Sequence, residues 1–162
     1  LALYLGRYAG FRIHECFRMD TAAAEQALRE NALTVKGKGG KVRTVPIEDE
    51  RIPMMLRKLL AQTERGHKLL VPDGMPTDRA INALELFIYR YRNEICDEGS
   101  DRCLTFHGLR HTYAAEKYTR LTEDGMSAID AHYAVSRLLG HERADVTNIY
   151  LASVRKRGRD GE

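Results

Sequence analysis

The chain has 162 residues, of which 43% are hydrophobic and 30% are charged, with 26 Lys and Arg against 23 Asp and Glu. This hydrophobic share is too high for a disordered chain, and a length of roughly 100–200 residues is typical of one domain with a hydrophobic core. The longest aliphatic runs, such as Leu69-Leu70-Val71, are far shorter than the ~18 residues of a membrane-spanning helix. A formal net charge of +3 does not by itself indicate a nucleic-acid-binding protein.

We expect a single domain over residues 1–162, since no repeat, low-complexity tract or Ser/Pro-rich linker interrupts the chain. Residues 152–162 are polar and are expected to form a flexible tail. The chain begins at Leu1 rather than Met and enters a helical pattern at once. This start predicts a piece of a longer protein with another domain upstream.

The first 30 residues are predicted to be helical, with one break. Leucines and a tyrosine at helical spacing lead into Gly10, after which residues 11–19 can form a short helix. Asp20 and Thr21 offer a helix cap before the alanine-rich segment 22–30, which favours a further helix.

Two β-branched runs follow, over 33–35 and 42–45, on either side of Lys36-Gly-Lys-Gly-Gly-Lys41. Glycines supply the positive φ angles that a tight turn requires. These runs therefore predict a β-hairpin with a basic tip.

The rest of the chain is predicted to be helical. Apolar residues recur at helical spacing over 52–60, and prolines and a glycine mark a loop over 72–76. A second apolar stripe, interpreted as core, consists of Ile81, Leu84, Phe87, Ile88, Tyr91 and Ile95. Further helices are expected over 106–118, 127–138 and 145–151. The fold class that follows is α+β, mainly α-helical with one small antiparallel β-sheet.

A zinc site is one alternative for His107 and His111. His107-Gly-Leu-Arg-His111 resembles a zinc-protease helix, but Gly108 stands where that motif needs its glutamate. Cys96 and Cys103 complete four possible zinc ligands, although the six-residue gap between the cysteines is longer than usual. The odd count of three cysteines favours free thiols in a reducing cytoplasm.

Two motifs in the first quarter of the chain carry cations. Arg12 follows a glycine turn, and Glu15, one helical turn later, can reach back and hold its guanidinium. Lys38 lies at the tip of the glycine hairpin, where an exposed ammonium can reach a phosphodiester or donate a proton.

Two more motifs lie in the last third. His107 and Arg110 are one helical turn apart and therefore face the same way, and Tyr150 follows the Leu-Gly-His141 motif by nine residues. Together with the first two motifs, this set suits phosphoryl transfer in which protein cations rather than magnesium neutralise the phosphate. Arginine binds non-bridging oxygens bidentately, and tyrosine can be a covalent nucleophile.

In order and spacing these motifs resemble the tyrosine recombinase (phage integrase) family, and the resemblance runs from about Leu3 to Leu151. The local strings that carry it are Lys36-Gly-Lys-Gly-Gly-Lys-Val-Arg-Thr-Val-Pro-Ile47, His107-Gly-Leu-Arg-His-Thr-Tyr-Ala114 and Leu138-Leu-Gly-His141. The first motif reads Ala-Gly-Phe-Arg12, where the family often has Thr-Gly-Leu-Arg. The resemblance implies the family's catalytic-domain fold, of the DNA breaking-rejoining type.

The resemblance also implies a role for each matching residue. Arg12 and Arg110 would bind the scissile phosphate and stabilise its transition state, with Glu15 as a support behind Arg12. Lys38 would be the general acid toward the leaving 5′-oxygen.

The remaining roles follow the same resemblance. His107 would manage a proton, His141 would be a hydrogen-bond donor, and Tyr150 would attack the phosphate to give a 3′-phosphotyrosyl link. The basic residues expected to contact DNA are Lys36, Lys41 and Arg43.

The function implied is site-specific cutting and rejoining of double-stranded DNA without a metal or nucleotide cofactor. We expect a homotetramer on paired DNA sites for the full-length protein, a monomer for the isolated domain, and no membrane partner. A cytoplasmic, nucleoid-associated, prokaryotic protein of a phage or integrative mobile element is the expected setting. The alternatives are a catalytically inert DNA-binding relative, a zinc-binding module or hydrolase, and a topoisomerase-like enzyme.

Overall fold

The computed structural model describes residues 1–37, 40–95 and 103–140. Over these residues the fold is mainly α-helical with one small antiparallel sheet, which confirms the predicted class. The elements in chain order are α1 (Ala2–Ala9), α2 (Ile13–Cys16), α3 (Thr21–Glu30), β1 (Ala32–Lys36), β2 (Val42–Pro46), α4 (Arg51–Leu60), α5 (Thr77–Ile95), α6 (Phe106–Glu123) and α7 (Ala128–Leu139).

The predicted β-hairpin is confirmed. β1 and β2 pair antiparallel, with Lys36 opposite Val42 next to the turn. Gly40 has a φ of 78°, a left-handed conformation that favours glycine. Lys38, at the tip, lies outside the described residues.

The helix cap predicted at Asp20 is confirmed, and Thr105 forms a second cap that was not predicted from the sequence. Asp20 caps α3 by accepting the Ala23 N–H at 2.8 Å, and Thr105 caps α6 by accepting the Gly108 N–H at 2.9 Å. The helices expected over 52–60, 106–118 and 127–138 are α4, α6 and α7, with α6 extending to Glu123. The helix expected over 145–151 lies outside the described residues.

The helix expected over 11–19 is shorter than predicted. α2 ends at Cys16, and the carbonyl of Met19 accepts the Leu69 N–H at 3.0 Å. The same pairing places Asp20 in an isolated bridge with Lys68. Since this bridge requires extended backbone, the chain leaves the helix before it.

The larger hydrophobic cluster lies mainly among α1 to α4 and the sheet, and it includes the fully buried Leu5, Leu33 and Leu56. Residues of α5 and of the start of α6 also belong to it. A smaller cluster joins α6 to α7 through Tyr113 and Leu139, among others. α6 packs against both α1 and α7. It therefore brings the two ends of the described fold together.

The apolar stripe of α5 is core along only part of its width, so the interpretation of the whole stripe as core is wrong. Ile88 is buried and Leu84 packs against the larger cluster, whereas Phe87 and Tyr91 are 47% and 42% exposed. The rings of Phe87 and Tyr91 lie 4.8 Å apart and pack on each other. Ile95 is also exposed. Helical spacing identifies an apolar face, but it does not say how much of that face a neighbour covers.

Among the described residues, no helix combines the length and the apolar character that crossing a membrane requires.

Candidate active site

The turn between α1 and α2 positions Arg12. Gly10 ends α1 with a φ of 64°, and a Cβ at this position would lie 2.5 Å from Cδ1 of Tyr113 on α6. Only glycine fits both the left-handed backbone and this close approach. The turn is thus pressed against α6, and Arg12 follows as the N-cap of α2.

Glu15 binds both the backbone and the side chain of Arg12. The Arg12 backbone N–H donates to Oε2 of Glu15 at 2.7 Å, and Nη1 donates to Oε1 at 3.1 Å. The predicted contact between these side chains is therefore confirmed. The Arg12 side chain is 31% exposed, whereas that of Glu15 is fully buried. A buried carboxylate thus orients a guanidinium that solvent, or a phosphate, can reach.

A second arginine, Arg43 of β2, also binds Glu15. Its Nη1 donates to Oε1 at 2.8 Å and its Nη2 to Oε2 at 2.7 Å, which is bidentate geometry. Its Nε donates to the carbonyl oxygen of Leu138 near the end of α7, at 2.9 Å. Arg43 is only 8% exposed, so its guanidinium is used within the fold. Its predicted contact with DNA stays a prediction.

The pKa of Glu15 reflects this setting. Burial by itself would raise it, but the hydrogen bonds from Arg43 and from the Arg12 backbone, with the charges of both arginines, lower the pKa to about 2. Glu15 is therefore ionised at every physiological pH, and it balances part of the positive charge around it.

Arg110 of α6 is fully buried and joins two distant segments. It donates through Nη1 to the Gly10 carbonyl oxygen and through Nη2 to the Leu139 carbonyl oxygen, the latter at 2.6 Å. These acceptors lie at the C-terminal ends of α1 and α7, where helix dipoles favour a cation. Arg110 therefore fixes the turn that carries Arg12 against the end of α7.

His107 lies one turn before Arg110, in the first turn of α6. Burial, followed by the charges of Arg110 and Arg12, lowers its pKa. That both arginines act on one imidazole shows that the three groups share one electrostatic environment. The lowered pKa favours the neutral form of the His107 imidazole at neutral pH.

The hairpin lies beside this cluster. A Cβ placed on Gly37 would be 3.9 Å from Oε1 of Glu15, so the start of the turn is close to the buried carboxylate. Lys36 and Lys41 are exposed at the base of the turn, as a contact with DNA requires. A cleft of about 290 Å³ lies between the hairpin and α2, and its lining includes Lys36, Gly37 and Arg18.

The structure thus brings together Arg12, Glu15, His107 and Arg110, four of the residues that the sequence singles out. Predicted catalytic residues outside the described part of the chain are Lys38, His141 and Tyr150. Gly140, just before His141, is described: it ends α7 with a φ of 65°.

The ion pair between Arg43 and Glu15 is the feature that sequence reasoning missed. A signal exists, because Arg43 and the buried Val45 are two residues apart on β2 and so face the same side of the strand. This alternation places Arg43 toward the interior, although it does not name Glu15 as its partner.

The described residues contain no set of side chains that supports the zinc alternative. Within them, no group of three or more His, Cys, Asp or Glu side chains is arranged to hold a metal ion. The rings of His107 and His111 pack edge to face with centroids 4.7 Å apart, and Cys103 is exposed. Cys96 lies outside the described residues.

The comparison with protein families agrees with this geometry. The model of the phage integrase family matches residues 1–157. Two curated relatives are both named tyrosine recombinase XerD. The one from Pseudomonas putida is 29% identical over 130 residues, covering 76% of this chain and 39% of the relative. The one from Lacticaseibacillus casei is 32% identical over 125 residues, covering 76% of this chain and 40% of the relative. The aligned part is thus well under half of each relative's length.

Solved structures share the fold. The crystal structure of XerA recombinase superposes with a TM-score of 0.65 at 20% identity, covering 96% of this chain and 55% of that one. The Tn1549 transposon integrase, solved in complex with a circular intermediate DNA, gives a TM-score of 0.64 at 18% identity, covering 98% of this chain and 57% of the integrase.

Proposed function

The chain belongs to the phage integrase family of tyrosine recombinases, and from this premise we propose that it is the catalytic domain of a site-specific DNA recombinase. It would cut and rejoin double-stranded DNA without a metal or nucleotide cofactor. The observation that carries the proposal is the cluster of Arg12, Arg110 and His107 on segments that Glu15 and Arg110 lock together. Such a cluster neutralises a phosphodiester with protein cations.

In the proposed first step, Tyr150 attacks the scissile phosphorus. A bond forms between the tyrosine oxygen and phosphorus, and the bond from phosphorus to the 5′-oxygen breaks. The neutral imidazole of His107 accepts the tyrosine proton, and Lys38 donates a proton to the leaving 5′-oxygen. The product is a 3′-phosphotyrosyl link, and attack by a 5′-hydroxyl reverses the step and rejoins a strand.

The arginines contribute in different ways. Arg12 is partly exposed, so the phosphate can reach it in the structure as it stands. Arg110 is buried and bound to two carbonyl oxygens. Its phosphate contact is expected to form when DNA is bound, since catalytic hydrogen bonds tighten in the substrate complex. His141 would add a hydrogen-bond donor to the same phosphate.

We also propose the wider setting. A further domain would complete the grip on DNA, the full-length protein would act as a homotetramer on paired sites, and Lys36 and Lys41 would contact the DNA backbone. Because such contacts are made to phosphates, binding by the isolated chain should be strongly salt-dependent. The prediction of a phage or integrative mobile element stays a prediction, and amplification across the junction of an excised DNA circle tests it.

Relaxation of a supercoiled plasmid in EDTA at low salt tests the proposed chemistry. Tyr150→Phe removes the nucleophilic oxygen and should abolish relaxation. Tyr89→Phe is the matched control, because Tyr89 is 60% exposed on α5 and the ring that packs on Arg92 is kept. The wild type and Tyr89→Phe should relax the plasmid at the same rate.

The outcomes separate the alternatives. Relaxation that survives EDTA and is lost in Tyr150→Phe contradicts both the inert DNA-binding relative and the zinc hydrolase. Relaxation by Tyr150→Phe at the wild-type rate contradicts the proposal. If the wild type is inactive, the assay is repeated with the chain joined to its upstream domain, and continued inactivity favours the inert relative.

A further inference from the structure

Arg43 is the one residue in the described part of the chain whose side chain is seen to bind both Glu15 and the end of α7. All three kinds of guanidinium nitrogen are used: Nη1 and Nη2 on the two oxygens of Glu15, and Nε on the carbonyl oxygen of Leu138. The partners are 28 and 95 residues away in sequence. Arg43 therefore connects, by hydrogen bonds, segments that are far apart in the sequence.

The three segments that Arg43 joins are those that carry the proposed chemistry. β2 continues from the hairpin turn that holds Lys38, Glu15 orients Arg12, and Leu138 lies three residues before His141. A displacement of the Arg43 side chain would thus change the positions of several segments that carry proposed catalytic residues.

A direct contact of Arg43 with DNA fits the structure poorly. The side chain is 8% exposed, and its nitrogens bind groups of the protein. A phosphate would have to displace a buried carboxylate, which would then lose its principal hydrogen-bond partner. Lys36 and Lys41, by contrast, are exposed at the base of the hairpin.

We infer that Arg43 is a positioning residue of the proposed strand-transfer reaction: it sets the hairpin, the Arg12–Glu15 segment and the end of α7 relative to one another. The inference rests on the proposed function for its catalytic part. The geometric part stands on the hydrogen bonds alone.

The fork of arginine is essential to this role. A lysine at position 43 keeps the charge, but its single ammonium cannot bind both oxygens of Glu15 in parallel and also reach Leu138. Neighbouring residues also pack closely around the arginine side chain. A Cβ on Gly140 would lie 3.0 Å from Cδ of Arg43, and the guanidinium lies 5.7 Å from the ring centroid of Phe11.

The test compares Arg43→Lys with Arg7→Lys in the intact chain. Arg7 is a matched control, because it also binds a glutamate bidentately, Glu116 at 2.8 and 2.6 Å, but on the surface. For each variant we would measure binding to a short DNA duplex by anisotropy. The rate of relaxation of supercoiled plasmid would be measured at saturating protein.

For Arg43→Lys we expect unchanged DNA binding and a relaxation rate at saturating protein lower by about 10²-fold, the cost typical of a misplaced catalytic group. Arg7→Lys should behave as the wild type in both assays. Glu15→Gln, which keeps the size of the side chain, should reproduce the split between binding and rate, and it serves if Arg43→Lys does not fold.

Two results would overturn the inference. One is relaxation by Arg43→Lys at the wild-type rate. The other is weaker DNA binding with a smaller salt dependence and full relaxation at saturating protein, which is the behaviour of a residue that contacts phosphate.

Hydrogen exchange separates failure of this inference from failure of the proposed function. Arg43→Lys should speed amide exchange both in residues 40–46 and at the end of α7, whereas Arg7→Lys should change neither. If the wild type does not relax DNA even when joined to its upstream domain, the proposed function fails, and the exchange data still decide the geometric part. Unchanged exchange in Arg43→Lys overturns that part.

Discussion

Two arginine–glutamate pairs of the same geometry lie in different parts of the molecule. Arg43 binds Glu15 through two parallel hydrogen bonds of 2.8 and 2.7 Å, and Arg7 binds Glu116 through two of 2.8 and 2.6 Å. The side chains of the first pair are 8% and 0% exposed, and those of the second are 27% and 58% exposed.

The comparison shows that hydrogen bonds of the same geometry contribute differently to stability when they are buried and when they are exposed to water. Water can replace the partner of either Arg7 or Glu116, so this pair contributes little to stability. Water cannot replace Arg43 at the buried carboxylate of Glu15, so loss of one partner leaves a charge without adequate solvation. The buried pair thus fixes geometry, and it does so at the proposed active site.

Replacing each arginine in turn should give the largest difference in stability between the two pairs. Arg43→Met keeps much of the side-chain volume but removes the charge, and we expect it to lower the free energy of unfolding by about 3–5 kcal/mol. Arg7→Met should lower it by less than about 1 kcal/mol. Urea unfolding followed by circular dichroism measures both values, and similar losses in the two variants would contradict the role of burial.

The same contrast explains which parts of the site the sequence could predict. The contact between Arg12 and Glu15 is local, since one helical turn brings their side chains together, and it was predicted correctly. The hairpin and most helices were predicted because periodicity, glycines and caps act over a few residues. Arg43 and Arg110 bind partners up to 100 residues away. Such contacts are set by packing of whole elements, which a local pattern does not specify.

The error at α5 has the same origin. Phe87 and Tyr91 occur at helical spacing with Ile88 and Leu84, so the sequence pattern treats all four alike. Which of them become buried depends on where the neighbouring elements lie. The order of the sequence motifs was informative because it was compared with a family, and the family model confirms that the chain belongs to that family.

A change of pH should act on the buried pair by way of Glu15. Its pKa of about 2 in the folded protein lies below the ordinary value of 4.5, so its contribution to stability is present above pH 4.5 and is lost as the pH falls toward 2. The shift corresponds to about 3 kcal/mol. Thermal unfolding between pH 2 and pH 7 measures the loss.

Glu15→Gln is the control for this titration. The pKa of Asp49 is also lowered, by its hydrogen bond with Arg51, so acid weakens more than one pair. The difference in stability between the wild type and Glu15→Gln cancels the contribution of Asp49. That difference should shrink as the pH falls from 4.5 toward 2, and a difference independent of pH would contradict the assigned ion pair.

The smallest expected effect is a difference in stability between two glycine-to-alanine variants, and it tests how tightly Arg43 is held. Gly140 and Gly74 both have positive φ, 65° and 73°, so alanine should strain the backbone at either position by about 1–2 kcal/mol. At Gly74 a Cβ would meet nothing within 4 Å, whereas at Gly140 it would lie 3.0 Å from Cδ of Arg43. An exposed arginine would swing aside, but Arg43 is held at Glu15 and Leu138. Gly140→Ala should therefore lower the free energy of unfolding, measured with urea, by about 1 kcal/mol more than Gly74→Ala, because the Arg43 side chain cannot move away from the new Cβ without breaking a hydrogen bond. Equal losses would mean that Arg43 moves freely, and they would also weaken its assignment as a positioning residue.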